Sequence, residues 1–327
     1  MSSSPRLRIG VLGAARIVND GLLRPAADFP DVDVVAVAAR DSQRAAKFAS
    51  THGIERVHST YTALLDDPDI DAVYIPLPAS LHARWTAAAM ERGKHVLTEK
   101  PFTSNSAAAE EIVRRATASD VVVMEAYHSV YHPMQQQLRD IITSGEIGEV
   151  HTAEAHFCVP IPPGRDIRWN LALGGGSLLD VGYYAVRQLT TLFGAPLEIE
   201  AAAKVRNGVD RTIVANLGFA GGVAGKIRSS LWSTRVLSMR LRIEGTAGTV
   251  SVRSPYHPQN GGRILVRTRS GRRSVSAERR SSYSFQMAAF RDAVLHKTPV
   301  LTDAHAALAH MRTLDAIYLA AGLQPRP

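Results

Sequence analysis

The side chains best suited to chemistry lie just after strand-like runs in the first hundred residues. Ile9-Gly10-Val11-Leu12-Gly13-Ala14-Ala15-Arg16-Ile17-Val18 is a degenerate glycine fingerprint, with Gly13, Ala15 and Val18 at its three positions. Small residues there let the chain turn tightly and bring a helix N-terminus, with its unpaired N–H groups, up to a pyrophosphate. Gly13, Ala15, Arg16 and Ile17 are therefore expected against a dinucleotide. The second strand-like run closes on Arg40, where such folds normally carry an acid for the ribose 2′-hydroxyl. A guanidinium grips a 2′-phosphate instead, and Arg44 follows one helical turn on. NADP is the expected cofactor, with Asp41 leaving room for NAD. The segments Ile75-Pro76-Leu77-Pro78-Ala79-Ser80-Leu81-His82 and Leu97-Thr98-Glu99-Lys100-Pro101-Phe102 follow later strands, at the carboxyl edge where doubly wound sheets bind ligands. Pro76, Leu77, Pro78, His82 and Glu99 are expected beside the cofactor. Lys100, fixed in direction by its proline neighbour, is expected against the nicotinamide ribose and the reacting oxygen.

Other chemistries find less support. His128 and His132 stand four apart with His151 and His156 downstream, but no acid or cysteine completes a ligand set, so no metal is expected. No Gly-x-Ser-x-Gly elbow and no Walker-type phosphate loop is present. The single cysteine, Cys158, reads as buried in a strand.

These side chains need a scaffold. Strand-like runs at 7–12, 32–39, 72–75, 95–98 and 121–125 alternate with helical segments at 42–52 and 81–92, which predicts a doubly wound parallel sheet, a Rossmann domain over 1–126. Beyond residue 127 the rhythm changes. One helix at 132–144 precedes strand-like runs at 150–159, 197–205, 212–219, 222–232, 239–244 and 249–252, joined by turn signals such as Asn207-Gly208. Helices at 283–296 and 303–321 close the chain. The expected fold class is α/β: the Rossmann domain plus an α+β substrate-binding and oligomerisation domain over 127–327, with a large open, mainly antiparallel sheet. The C-terminal helix is free to pack back on the first domain.

At 327 residues, 45% hydrophobic and 21% charged, the chain can bury two cores. It has no apolar run near the roughly 20 residues of a membrane span. Met1 to Arg6 pass into a strand without a signal-peptide apolar region, and one cysteine suits a reducing compartment, so the cytoplasm is expected. The net charge of +8 is local. Arg253, Arg263, Arg267, Arg269, Arg272, Arg273, Arg279 and Arg280 face the single acid Glu278. Few aromatics accompany them, so the stretch reads as a solvated hairpin turning at Ser270-Gly271 and not as a nucleic-acid surface.

Glu99-Lys100-Pro101 followed by Gly174-Gly175-Gly176-Ser177-Leu178-Leu179-Asp180-Val181-Gly182-Tyr183-Tyr184 resembles the Gfo/Idh/MocA oxidoreductase family over essentially the whole chain. Within it the chain looks most like the branch of glucose-fructose oxidoreductase, dimeric dihydrodiol dehydrogenase and NADP-dependent D-xylose dehydrogenase. Ala39-Arg40-Asp41, Met124-Glu125-Ala126-Tyr127 and Gly145-Glu146-Ile147-Gly148-Glu149-Val150 add to the likeness. The resemblance implies that Lys100 orients substrate and cofactor, that Tyr184 donates or accepts the proton, and that Asp180 holds the substrate. Physical chemistry agrees: a tyrosine of ordinary pKa about 10 needs a nearby cation such as Lys100 to serve at neutral pH. Asp180 and Tyr184, four apart on a helix, share a face.

Tyr127, His128, Arg168 and Trp169 are expected to line the substrate pocket. The chain departs from its relatives at Ala79, where asparagine is common, and at Val130, where sugar-active members carry arginine. The implied activity is NADP-dependent hydride transfer to or from a sugar, polyol or cyclic trans-diol. The alternative is a non-catalytic dinucleotide-binding regulator of the same fold. The open face of the second sheet is expected to be apolar and to form a homodimer or higher homo-oligomer.

Overall fold

A computed structural model describes residues 6–233 and 237–327. The N-terminal residues 1–5, on which the absence of a leader was read, lie outside the described residues. Two compact units are present: Met1–Thr103 with Ala107–His128 and Tyr283–Leu308, and Ser104–Ser106 with Ser129–Ser282 and Ala309–Pro327.

The first unit is built on six parallel strands: β1 (Leu7–Leu12), β2 (Val32–Ala38), β3 (Arg56–His58), β4 (Ala72–Ile75), β5 (His95–Glu99) and β6 (Val123–Ala126). Their order is β3-β2-β1-β4-β5-β6, so the direction of winding reverses between β1 and β4. Every residue of β4 and β6 is buried, as expected of strands covered on both faces. β3 carries no apolar run, which is why periodicity does not reveal it. The far edge is closed from an unexpected quarter, because Thr302 returns to β6. The Glu125 N–H donates to the Thr302 carbonyl at 2.8 Å, and the Thr302 hydroxyl donates to the Glu125 carbonyl at 2.7 Å. The helix Ser282–His296 accompanies that return and buries Met287 and Phe290 completely. A boundary near residue 127 therefore leaves out a stretch of chain that belongs with the first unit.

The second unit holds eight strands: β7 (Val150–Cys158), β8 (Glu198–Arg206), β9 (Val209–Gly218), β10 (Ala224–Ser230), β11 (Ser238–Gly245), β12 (Gly248–Arg253), β13 (Arg263–Thr268) and β14 (Gly271–Ser276). Their order is β14-β13-β12-β11-β7-β10-β9-β8. All neighbours are antiparallel except β7 and β10, which run parallel because a helix, Tyr183–Phe193, and the β8–β9 hairpin intervene between them.

Alternation puts Ala155, Ile227, Leu241 and Ile243 on the covered face. The opposite face corrects an expectation: it is charged, not apolar. Lys226 stands opposite Glu154, and Glu154 opposite Arg242, as a row of alternating sign across three strands. The arginine-rich hairpin is the exposed β13–β14 edge, where Arg273 is paired with Glu146. No helix among the described residues is long and apolar enough to cross a membrane.

Replacing Phe290 with alanine should lower the stability of the first unit by about 3–5 kcal/mol through lost burial and a residual cavity. Calorimetric scanning of Phe290→Ala would show an earlier transition, and an unchanged thermogram would show that this helix contributes no core.

Candidate active site

The parallel sheet delivers its candidate residues at one edge. After β1 the chain turns at Gly13, where φ is +122°, and the Gly13 N–H donates to the Ala38 carbonyl at 2.8 Å. A Cβ at Gly13 would lie 3.0 Å from Leu77 Cδ2, so both backbone conformation and space call for glycine. Ala15 and Ile17 are half-buried and Arg16 is exposed. The helix that follows is not regular. Asn19–Leu23 form a π turn, with Gly21 so close to Tyr74 that a Cβ would fall 2.7 Å from its hydroxyl.

Arg40 is exposed at the end of β2. Asp41 caps the next helix, its carboxylate accepting the Arg44 N–H at 3.0 Å, while Arg44 Nη2 donates to the Ala14 carbonyl at 2.7 Å. The Arg44 guanidinium is thus drawn to the fingerprint turn. Burial pushes the Tyr61 phenol up, and the charges of Arg40 and Arg44 oppose that shift, so both cations stand near one ring.

His82 is buried beneath this edge. Its Nδ1 lies 2.7 Å from the Pro101 carbonyl and its Nε2 2.7 Å from the Leu77 carbonyl, which ties the loops after β4 and β5 together. A neutral imidazole can donate to only one of them. Burial pushes its pKa down, and the two carbonyls pull it back up. Pro76 is buried, and Leu77 and Pro78 are half-buried.

The Glu99 carboxylate accepts the Tyr74 hydroxyl at 2.6 Å and the Lys100 backbone N–H at 3.2 Å. Burial pushes this carboxyl up, opposed by Tyr74 and by the Lys100 charge. The Lys100–Pro101 peptide is cis. Tyr127 and His128 are both buried, and the His128 ring packs 3.9 Å from that of Tyr283, whose phenol is driven up by burial and by the charges of Glu99 and Asp20.

In the second unit Asp180 sits in a π turn, Leu178–Gly182, that runs directly into the Tyr183–Phe193 helix. The expected regular α-helical spacing of Asp180 and Tyr184 is thus replaced by a wider turn, a local form recurrent at functional sites. Arg168 Nε donates to Asp180 Oδ2 at 2.6 Å, and the Asp180 charge is the largest cause of a raised Arg168 pKa. Trp169 departs from Arg168: with Pro163, Gly164, Arg206 and Asn207 it lines a hollow of about 280 Å³.

Tyr184 is 6% exposed and ringed by aromatics. Phe157 lies at 5.5 Å, Tyr256 at 5.7 Å and His257 at 5.9 Å between ring centroids. None of these three has a spacing signal in the sequence. Tyr183 is fully buried and meets His310 edge-on at 4.3 Å. The helix start is braced by the buried Asp210, whose Oδ2 accepts the Ser177 hydroxyl at 2.9 Å and the Leu178 N–H at 2.8 Å. Val130 is buried, and His132 serves as a helix cap, its Nδ1 accepting the Met134 N–H at 3.1 Å. Among the described residues no three histidines, cysteines or acids gather as a metal site.

A glycine-dependent turn at the head of a parallel sheet, with cations where an acid would read an unphosphorylated ribose, is the construction of a nicotinamide-dinucleotide oxidoreductase. Residues 7–127 match the oxidoreductase family with NAD-binding Rossmann fold, and residues 135–251 match the GFO/IDH/MocA C-terminal domain. The chain belongs to the GFO/IDH/MocA family.

It is 31% identical to D-xylose 1-dehydrogenase (NADP(+)) 2 of Haloferax volcanii, over 95% of this chain and 96% of that one. It is 43% identical to dTDP-3,4-didehydro-2,6-dideoxy-alpha-D-glucose 3-reductase of Streptomyces antibioticus, a match spanning 64% of either chain. KijD10, a 3-ketoreductase from Actinomadura kijaniata solved with NADP and TDP-benzene, superposes with a TM-score of 0.89 at 30% identity, covering 96% of this chain and 98% of that one. Other KijD10 structures carry a substituted lysine and a substituted tyrosine, as far apart in that chain as Lys100 and Tyr184 are here.

Burial and the Arg187 charge hold His310 well below the ordinary histidine range, and burial lowers His82, His95 and His132 as well. Unfolded histidine titrates near 6.5. Between that value and the lowered folded ones, unfolding takes up protons, so the stability these rings contribute is complete above about pH 6.5 and is lost as pH falls. The melting temperature should therefore drop from about pH 7 to pH 5, and His310→Phe should flatten the drop. An identical slope in the variant would remove His310 from the account.

Proposed function

We propose that this chain is an NADP-dependent oxidoreductase that interconverts a secondary alcohol and a carbonyl on a sugar or sugar-like substrate, with Lys100, Asp180 and Tyr184 as its working side chains. The reading is carried by the Glu99-Lys100 corner, where a buried carboxylate held by Tyr74 fixes the backbone of Lys100 at the dinucleotide edge of the sheet. The residues fit the cofactor. Gly13 leaves room a Cβ would fill, and Arg40 and Arg44 supply cations suited to a 2′-phosphate. Bound NADPH supplies the hydride for reduction, and NADP accepts it in the reverse direction.

The chain's own task is then the proton. In reduction the Tyr184 hydroxyl gives its proton to the substrate oxygen and solvent reprotonates the phenolate, while Lys100 is assigned the orientation of the cofactor and the reacting oxygen. Asp180, itself oriented by Arg168, accepts a hydrogen bond from a substrate hydroxyl. The substrate contacts expected of Tyr127, His128 and Arg168 belong to the same proposal, and Trp169 is set apart from them by the hollow it lines. One relative, KijD10, with separate variants at a lysine and at a tyrosine of the same separation, is in keeping with the proposal. The relatives are named enzymes, which sets aside the non-catalytic regulator.

A second, narrower reading is reduction of a nucleotide-linked keto sugar. It is favoured by the dTDP-sugar reductase likeness and by the Arg206-lined hollow beside Trp169. A cytoplasmic location and self-association are part of the proposal, with the mixed-charge sheet face as the contact. Gel filtration should then give a species larger than a 35.4 kDa monomer that shrinks as salt rises. A monomer at low salt would end that part.

Lys100→Met and Tyr184→Phe should each cut turnover by about 10²–10⁴ while NADPH binding stays nearly unchanged. Arg40→Asp should shift preference toward NAD. NADPH oxidation with a dTDP-linked keto sugar, and NADP reduction with D-xylose and trans-1,2-dihydrobenzene-1,2-diol, separate the substrate readings. Full turnover in both single variants would refute the assigned chemistry, and equal use of NAD and NADP by the unaltered protein would refute the 2′-phosphate contact.

A further inference from the structure

The Tyr183–Phe193 helix and its π turn are anchored by a charge pair that the chemistry itself does not use. Asp210, on β9, is fully buried, and Arg326 is 3% exposed. One carboxylate oxygen of Asp210 takes the Ser177 hydroxyl and the Leu178 N–H, as described above. The other takes the Tyr318 hydroxyl at 3.2 Å and Nη2 of Arg326. Arg326 is held in turn, its carbonyl accepting Asn105 Nδ2 at 2.7 Å and its guanidinium lying 4.3 Å from the centre of the Tyr318 ring. There is no slack around the cluster. A Cβ on Gly176 would fall 2.1 Å from Asp210 Oδ1 and 3.0 Å from the Tyr318 hydroxyl.

We propose that Arg326 is a positioning residue for the reaction, because its charge keeps Asp210 an anion and the anion fixes the helix start from which Asp180 and Tyr184 project. The inference rests on the roles given to Asp180 and Tyr184 in the preceding section. Leu178 N–H is a donor only, and it bonds best to an ionised oxygen. Burial pushes the Asp210 carboxyl up toward its neutral form, and the Arg326 charge is the largest influence that opposes this. Without that charge a proton must come to Asp210. A neutral acid is a weaker acceptor and brings a hydroxyl that needs an acceptor of its own. The helix start then loses its fixed partner, and Asp180 lies two residues beyond Leu178. An anion at that place also suits the positive end of the helix dipole.

The test uses the full chain with three variants: Arg326→Met, Arg326→Lys, and Arg326→Met combined with Asp210→Asn. Amide exchange followed by mass spectrometry should be about tenfold faster over 177–184 in Arg326→Met, with the 186–193 half of the helix little changed. Turnover of whichever of the three substrates named above the unaltered chain uses should show a lowered kcat at unchanged NADPH affinity. Lysine should restore part of both losses by returning the charge. The double variant should restore more than half of the exchange protection, because asparagine keeps an acceptor for Leu178 and needs no counter-charge.

If Arg326→Met does not fold, the lysine and double variants carry the comparison against the unaltered chain. Exchange that rises equally in both halves of the helix, a double variant no better protected than Arg326→Met, or an unchanged kcat would each overturn the proposal. Full turnover in Tyr184→Phe would remove the catalytic reading instead, and the exchange comparison would still decide whether Arg326 holds the helix start.

Discussion

Parallel pairing is the constraint on which the candidate residues of the first unit depend. Strands that all run one way must end at one edge, so whatever follows each strand is gathered there regardless of its distance in sequence. The register makes this concrete. Leu12 stands opposite Ala38, Val11 opposite Tyr74, and Ile75 opposite Thr98. Gly13, Arg40, Pro76 and the Glu99-Lys100 corner therefore leave neighbouring strands at a common level. His82 bonds to carbonyls of two of the loops so formed, and Arg44 to a carbonyl of a third, so the edge is cross-tied by side chains.

In the second unit the candidate residues Asp180 and Tyr184 sit where a π turn runs into a helix. A regular helix would place Asp180 and Tyr184 nearly one above the other. The π turn widens that spacing, and the Arg168 bond then orients the carboxylate. Tyr184 itself sits among Phe157, Tyr256 and His257, a setting with little water to stabilise a phenolate. Giving up a phenolic proton leaves a negative charge, which is why the proposed chemistry pairs the tyrosine with an ammonium.

Much of this is legible in the sequence. The two motifs, the small-residue turn and the basic end of β2 are local patterns, and local patterns survive in sequence. The fold class followed from the change from strand-helix alternation to strands in series. What escaped detection depends on contacts remote in sequence. Asp210 follows an Asn-Gly turn by two residues, and nothing near it in sequence announces Ser177 or Arg326. Thr302 closes the edge of β6 from 177 residues away. The three-residue β3 has no apolar period, and the first π turn sets Gly21 against Tyr74, a contact between elements. The apolar character expected of the open sheet face failed for a plainer reason: alternate positions on β7, β10 and β11 include Glu154, Lys226, Arg240 and Arg242, whose outward direction follows only once register is known.

Glu99 and Asp210 show one physical device used twice. Each is a carboxylate taken out of water, where it persists as an anion only if donors surround it. Each spends one of its bonds on a backbone N–H in a segment bearing a candidate reacting side chain, Lys100 in one case and Leu178, at the start of the Asp180 turn, in the other. A backbone N–H bonded to a charge is held about twice as firmly as one bonded to a neutral carbonyl, so the side chains that follow inherit a narrow range of positions. The two cases differ in their counter-charge. Glu99 has a phenol and the neighbouring Lys100 ammonium, so its ionisation is linked to the same cation the chemistry uses, and a change at Lys100 disturbs the support as well as the reaction. Asp210 has a guanidinium that takes no part in the chemistry, which leaves the support of the phenol separable from its reactivity.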